Sequence, residues 1–162
     1  MRTLFIHGAG GFDEDRPLAA AFGAHASMPR MSDEDMSYES WAGTLRPALA
    51  ELDDGDLVIA HSFGGSILLL ILAEEAWPRF DVHMLAMPNW GPKGWAIADY
   101  EFAAPVPPQS ITLHHCADDD VVPHSHLGLN SALLPRAPVA SYSSGGHQFD
   151  GRHDELRAAF TH

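Results

Sequence analysis

Asp56-Leu57-Val58-Ile59-Ala60-His61-Ser62-Phe63-Gly64-Gly65-Ser66 decides the fold. Leu57 to Ala60 is an unbroken apolar run rich in β-branched residues, as expected of a strand buried on both faces. His61-Ser62-Phe63-Gly64-Gly65 then leaves no room for a long loop. From Ser66 to Ala76 the chain is apolar nearly all round, which predicts a buried helix ended by Pro78. A strand, a sharp turn and a buried helix form the first half of a β-α-β crossover.

The same unit recurs outward from this stretch. Upstream, Thr3-Leu4-Phe5-Ile6 predicts a strand that runs into His7-Gly8-Ala9-Gly10-Gly11. A helix is expected over Arg16 to Ala24, then a weak strand over Ala26 to Met28 stopped by Pro29. Ser37 to Leu52 predicts a second helix, because Trp41, Leu45, Ala48, Leu49 and Leu52 share one face. Downstream, strands are expected at Val82 to Met87, Ile111 to Cys116 and Val139 to Tyr142, with a closing helix over Asp150 to Phe160. Alternation of this kind implies a three-layer α/β/α sandwich around a mostly parallel sheet. Sites in such sheets form at the carboxyl ends of strands. His7, Ser62, the run Asp118–Asp120 and His147 all stand there. Pro88 to Pro108 breaks the alternation and carries Trp90, Trp95, Tyr100 and Phe102. It reads equally as a lid or binding loop and as a surface excursion whose aromatics fill a gap.

Ser62 lies between two small neighbours, Ala60 and Gly64, on a strand-to-helix turn. Such a turn strains the serine backbone, lifts the hydroxyl above the sheet and points the next N–H into the same space. A serine hydroxyl needs a base within hydrogen-bond reach, and the base needs an orienting partner. Gly145-Gly146-His147 offers the base after the last strand. Cys116-Ala117-Asp118-Asp119-Asp120-Val121-Val122-Pro123 offers three carboxylates for the partner. Aspartates also favour turns for their own sake, and any one histidine of 11 is as readily a surface group.

These stretches together resemble the α/β-hydrolase superfamily. His7-Gly8-Ala9-Gly10-Gly11 looks like its oxyanion loop and Ala60-His61-Ser62-Phe63-Gly64-Gly65 like its nucleophile elbow, with Ala60 where glycine is usual. Asp119-Asp120-Val121-Val122-Pro123 is similar to its acid loop and Gly146-His147 to its histidine loop. The order Ser, Asp, His agrees as well. The resemblance implies Ser62 as nucleophile, His147 as general base and Asp119 as its orienting acid, with Asp118 and Asp120 as the alternatives. It implies oxyanion donors at the backbone N–H groups of Ala9 and Phe63, with Gly10 able to replace Ala9. The short length further resembles the small lidless serine hydrolases related to retinoblastoma-binding protein. That group implies a six-stranded sheet of order 2-1-3-4-5-6 without the antiparallel strands that open larger members.

At 162 residues the chain suits one domain over 1–162, and 46 % apolar content supplies a core. The formal charge of −13 sets 22 acidic residues against 9 basic ones, so nucleic acid and anionic membrane surfaces are poor partners. The clusters Asp13-Glu14-Asp15, Asp33-Glu34-Asp35 and Asp53-Asp54 read as a solvated surface. One cysteine, Cys116, excludes an internal disulfide. The apolar start is too short for a signal peptide and Ile67 to Ala73 too short to span a bilayer, so the expected location is cytoplasmic.

No cofactor or metal is expected. His114, His115, His124 and His126 match no strong zinc spacing. Cys116 is on a strand end rather than an elbow, His61 reads as structural, and Gly8-x-Gly10 has the wrong spacing for a phosphate loop. The expected activity is hydrolysis of a small ester or related acyl bond, with Met87, Trp90 and Trp95 lining an apolar pocket for a small-molecule acyl substrate. Peptide hydrolysis or perhydrolysis would suit the same residues. The competing class is a protein- or ligand-binding module on this fold with little or no catalysis. Substrate identity and oligomeric state are not legible in the sequence.

Overall fold

The computed structural model describes residues 1–23 and 26–160. The body of the sheet is five strands lying side by side in chain order. They are β1 (Thr3–Ile6), β3 (Leu57–His61), β4 (Asp81–Leu85), β5 (Ser110–Cys116) and β6 (Val139–Tyr142), all parallel. A two-residue β2 (Ala26–Ser27) bridges to the outer edge of β1, giving the full order β2-β1-β3-β4-β5-β6. Five strands carry the sheet, and the sixth of the expected order 2-1-3-4-5-6 is present only as this two-residue bridge in place of the weak strand expected over Ala26 to Met28. β2 is a stub, because Pro29 follows it closely and has no N–H to continue a ladder.

Helices cover both faces. On one side lie α2 (Tyr38–Leu49), α3 (Phe63–Glu74) and α4 (Ser125–Leu133), packed with Leu4, Val58, Val82 and Leu113 of the sheet in one apolar cluster. On the other lie α1 (Arg16–Ala20) and α5 (His153–Ala159), packed with Phe5, Ile59 and Leu85. In α2, Trp41, Leu45 and Leu49 are wholly buried at helical spacing. Each leucine there stabilises the fold by about 1.5–3 kcal/mol. The Ser37 hydroxyl accepts from the Ser40 N–H and caps the helix.

Several elements differ from their sequence reading. α1 stops at Ala20, and the predicted end of that helix at Ala24 lies outside the described residues. The buried helix begins at Phe63 rather than Ser66, immediately after the serine. The closing helix is shorter than the pattern predicts, starting at His153. α4 has no counterpart in the sequence reading: its buried face carries His126 and Asn130 beside Leu127, which hides the apolar stripe.

The segment after β4 is an ordered excursion held by buried amides. The Asn89 N–H donates to His126 Nδ1 (2.8 Å), the Asn89 amide donates to Asn130 Oδ1 (3.0 Å), and the Asn130 amide donates to the Met87 carbonyl (2.8 Å). A Cβ on Gly94 would collide with the Asn89 carbonyl oxygen, so this turn admits only glycine.

Candidate active site

Ser62 joins β3 to α3 with φ 52° and ψ −126°. A non-glycine residue there carries about 1–3 kcal/mol of backbone strain, tolerable only when its surroundings fix it. They do so on both sides. The Ser62 N–H donates to the Leu85 carbonyl (2.8 Å), and its carbonyl accepts from the Gly65 N–H (3.0 Å). Two glycines allow the turn to sit so deep. A Cβ on Gly64 would collide with the His7 carbonyl oxygen, and one on Gly8 would lie 3.2 Å from Ser62 Cβ. Gly8 thus brings the loop after β1 against the serine.

That loop is held by two buried groups. The Met31 N–H donates to His7 Nε2 (3.0 Å), so the proton of this ring is on Nδ1, which donates to the Gly8 carbonyl (2.7 Å). The Gly8 N–H donates to Asp15 Oδ2 (2.8 Å). Ala9 lines the cavity, and its N–H meets no acceptor among the described residues. Phe63 opens α3, so its N–H is also free of intrahelical bonding and sits at the positive end of the helix.

His147 follows two left-handed glycines, Gly145 (φ 134°) and Gly146 (φ 64°). The Gly146 N–H donates to Asp118 Oδ1 (2.8 Å) and the Gly145 N–H to Asp118 Oδ2 (3.3 Å). His147 Nδ1 lies 2.9 Å from Asp119 Oδ2. Asp119 Oδ1 accepts from the N–H groups of Val121 and Val122, both at 2.9 Å, and His115 Nε2 lies 3.2 Å from Oδ2. Burial alone would raise the Asp119 pKa, but the bonds from His115, His147, Val121 and Val122 outweigh it and hold the carboxyl below the usual aspartate value. Asp119 is therefore an anion. As an anion it can only accept, so His147 Nδ1 donates to it. Among the three candidate carboxylates only Asp119 meets His147; Asp118 braces the loop, and Asp120 borders the cavity.

Ser62, Phe63, His147 and Ala9 share one cavity of about 760 Å³. Ser62 and His147 both line this cavity, and Ser62 Oγ makes no hydrogen bond among the described residues, to His147 or to any other. Catalytic hydrogen bonds are often open before a substrate is bound. Met36, Trp90, Trp95, Ile97 and Tyr100 form the apolar wall, while Glu14, Asp118, Asp120 and Asp150 give the rest an acidic character. Trp90 and Trp95 line the same cavity as Ser62. Met87 is 3 % exposed and lines a second cavity, to which Trp90 also contributes.

Two residues that matter here escape the sequence reading. Asp15, within a cluster read as solvated, is 1 % exposed. Its Oδ2 also lies 2.8 Å from His61 Nδ1, its Oδ1 accepts from the Gln148 amide (3.0 Å), and His61 Nε2 is 2.8 Å from the His147 carbonyl. One carboxylate and one imidazole thus tie together the loops of Gly8, Ser62 and His147. His115 is the other, masked in the sequence by its membership of a histidine cluster. Its Nε2 faces two oxygens, the Val122 carbonyl at 2.9 Å and Asp119, and so carries the proton.

Cys116 is buried, which pushes its thiol up to about 12. A thiol so seldom ionised is a poor nucleophile. Among the described residues no three His, Cys, Asp or Glu side chains converge to hold a metal ion. No described helix is long and apolar enough to cross a membrane.

No protein-family model and no curated protein sequence matches the chain. Solved structures do. The ydeN gene product of Bacillus subtilis superposes with a TM-score of 0.74 at 17 % identity, over 100 % of both chains. A meta-cleavage product hydrolase from Pseudomonas fluorescens gives 0.75 at 14 %, over 98 % of this chain and 88 % of that one. A Bacillus cereus carboxylesterase gives 0.64 at 16 %, over 98 % and 86 %. The chain therefore has the α/β-hydrolase fold.

Proposed function

We propose that this protein is a serine hydrolase that cleaves a small ester or related acyl bond through an acyl-enzyme on Ser62. The observation that carries the reading is the His147–Asp119 bond of 2.9 Å on the wall of the cavity that the strained Ser62 faces. The neighbours that are hydrolases and carboxylesterases support it through the fold alone. The small size of the chain favours a grouping with the small lidless hydrolases related to retinoblastoma-binding protein.

In the proposed cycle His147 Nε2 takes the Ser62 proton as Oγ bonds to the acyl carbon. The carbonyl π electrons move to oxygen, and the N–H groups of Ala9 and Phe63 receive that charge. Such donors each lower a barrier by about 3–4 kcal/mol. Collapse breaks the bond to the leaving group, which departs with the proton from His147. Water then attacks the acyl-enzyme, giving one proton to His147. The second collapse returns that proton to Ser62 and frees the acid. Asp119 keeps the imidazole in the tautomer that accepts from serine and stabilises its cation. The acidic, lysine- and arginine-free wall favours neutral acyl substrates over anionic ones. The single, buried cysteine fits a cytoplasmic location.

The test is turnover on short acyl esters, thioesters and amides by the wild type and by Ser62→Ala. The reading predicts ester turnover that falls by ~10⁴-fold or more in the variant, with an unchanged fold. Equal turnover in both proteins contradicts it. A wild type inert toward the whole panel favours a binding module instead.

A further inference from the structure

A second cavity of about 270 Å³ lies beside the one that holds Ser62. Pro88, Trp90 and Tyr100 line both, so these three side chains are the partition. Behind them the walls are largely apolar, with Leu69, Met87, Phe102 and Leu133. Trp90 is the largest piece of the partition, and it is fixed in place. Its Nε1–H donates to the buried Ser66 hydroxyl (2.8 Å), and its ring packs 4.9 Å from Tyr100 and 5.1 Å from Trp95. It also meets Phe63 edge to face, with centroids 5.9 Å apart, next to the proposed oxyanion donor.

We propose that Trp90 is the residue that sets acyl-chain length, closing the acyl site to all but short chains and shutting off the apolar cavity behind it. The proposal rests on the Ser62 acyl-enzyme reading. Its occupant is defined by chemistry: the far carbons of an acyl chain whose carbonyl is at Ser62. Their route leads past Phe63 to the indole, and the side cavity supplies apolar walls for them once the indole is gone. A fixed aromatic wall discriminates strongly against added methylenes, and truncating it reverses that preference.

The experiment measures kcat/KM on p-nitrophenyl acetate, butyrate, hexanoate and octanoate for the wild type, Trp90→Ala, Trp90→Phe and Ser66→Ala. The wild type should fall steeply after butyrate. Trp90→Ala should raise the octanoate-to-acetate ratio by about tenfold or more. Trp90→Phe keeps a ring in the partition and should shift the ratio less. Ser66→Ala, which frees the indole without removing it, should shift it by an intermediate amount. If Trp90→Ala does not fold, Trp90→Leu must move the ratio in the same direction. An unmoved ratio in a folded variant that still turns over acetate overturns the Trp90 proposal and leaves the Ser62 reading standing. So does a wild type that accepts octanoate as well as acetate. A wild type inert to all four esters overturns the Trp90 proposal, and one inert to the thioesters and amides as well removes the Ser62 reading with it.

Discussion

Asp119 meets four donors, two main-chain N–H groups on Oδ1 and two imidazole nitrogens on Oδ2. Asparagine fits that setting badly, because its NH₂ group would face a donor wherever it turned. Asp119→Asn should lower kcat by about 10³–10⁴-fold, through loss of the useful His147 tautomer. Asp118→Asn keeps an acceptor for Gly146 and should cost less than about tenfold. Steady-state kinetics on one short ester separates the two, and a larger loss in Asp118→Asn contradicts the assignment. Ser62, His147 and Asp119 are legible as candidates in the sequence because each follows a strand in a turn of recognisable composition. Asp15 is not. Its role comes from His61, 46 positions away, while its neighbours Asp13 and Glu14 are ordinary exposed charges. His115 is hidden in the same way, since adjacent His114 points to the opposite face of the strand.

The elbow works as an element because α3 packs directly against β1. Gly64 is the contact point, with room for no Cβ against the His7 and Ile6 backbone. Gly64→Ala should destabilise the protein by about 3 kcal/mol or more, as overpacking against backbone that cannot move aside. Gly128 is the control: it lies exposed in α4, and a Cβ added there would meet nothing within 4 Å. Gly128→Ala should stabilise by about 0.5–1 kcal/mol through helix propensity. Urea denaturation measures both, and opposite signs are required. The strands and α2 are readable from periodicity, since their buried residues are apolar. α4 is not, because two of its buried residues are His126 and Asn130, which are held by bonds to Asn89 and Met87.

Across the whole molecule, the face of the sheet away from α3 buries a polar chain. His83 Nδ1 lies 2.8 Å from His114 Nε2, and His114 Nδ1 lies 3.0 Å from the Tyr142 hydroxyl, with Phe160 packed over both rings. Burial lowers His83 to about 4 and His114 to about 3, from an ordinary 6.5. Both are neutral in the folded state, so below pH 6.5 the unfolded chain binds more protons than the folded one. Stability must therefore fall as pH drops through that window, each group adding up to about 1.4 kcal/mol per pH unit to the slope. Asp15 and Asp119, held below the usual value of 3.8, extend the loss to lower pH. His83→Gln should flatten the dependence of unfolding free energy on pH between 6.5 and about 4, and an unchanged slope there contradicts the account. At this scale the proposed function requires three loops, from the ends of β3, β5 and β6, to meet at the carboxyl ends of the strands. Reaction of the native protein with a fluorophosphonate, followed by peptide mass mapping, reads that meeting. A single adduct on Ser62, lost in His147→Ala, is the predicted result; an untouched Ser62, or an adduct that forms equally well without His147, would contradict it.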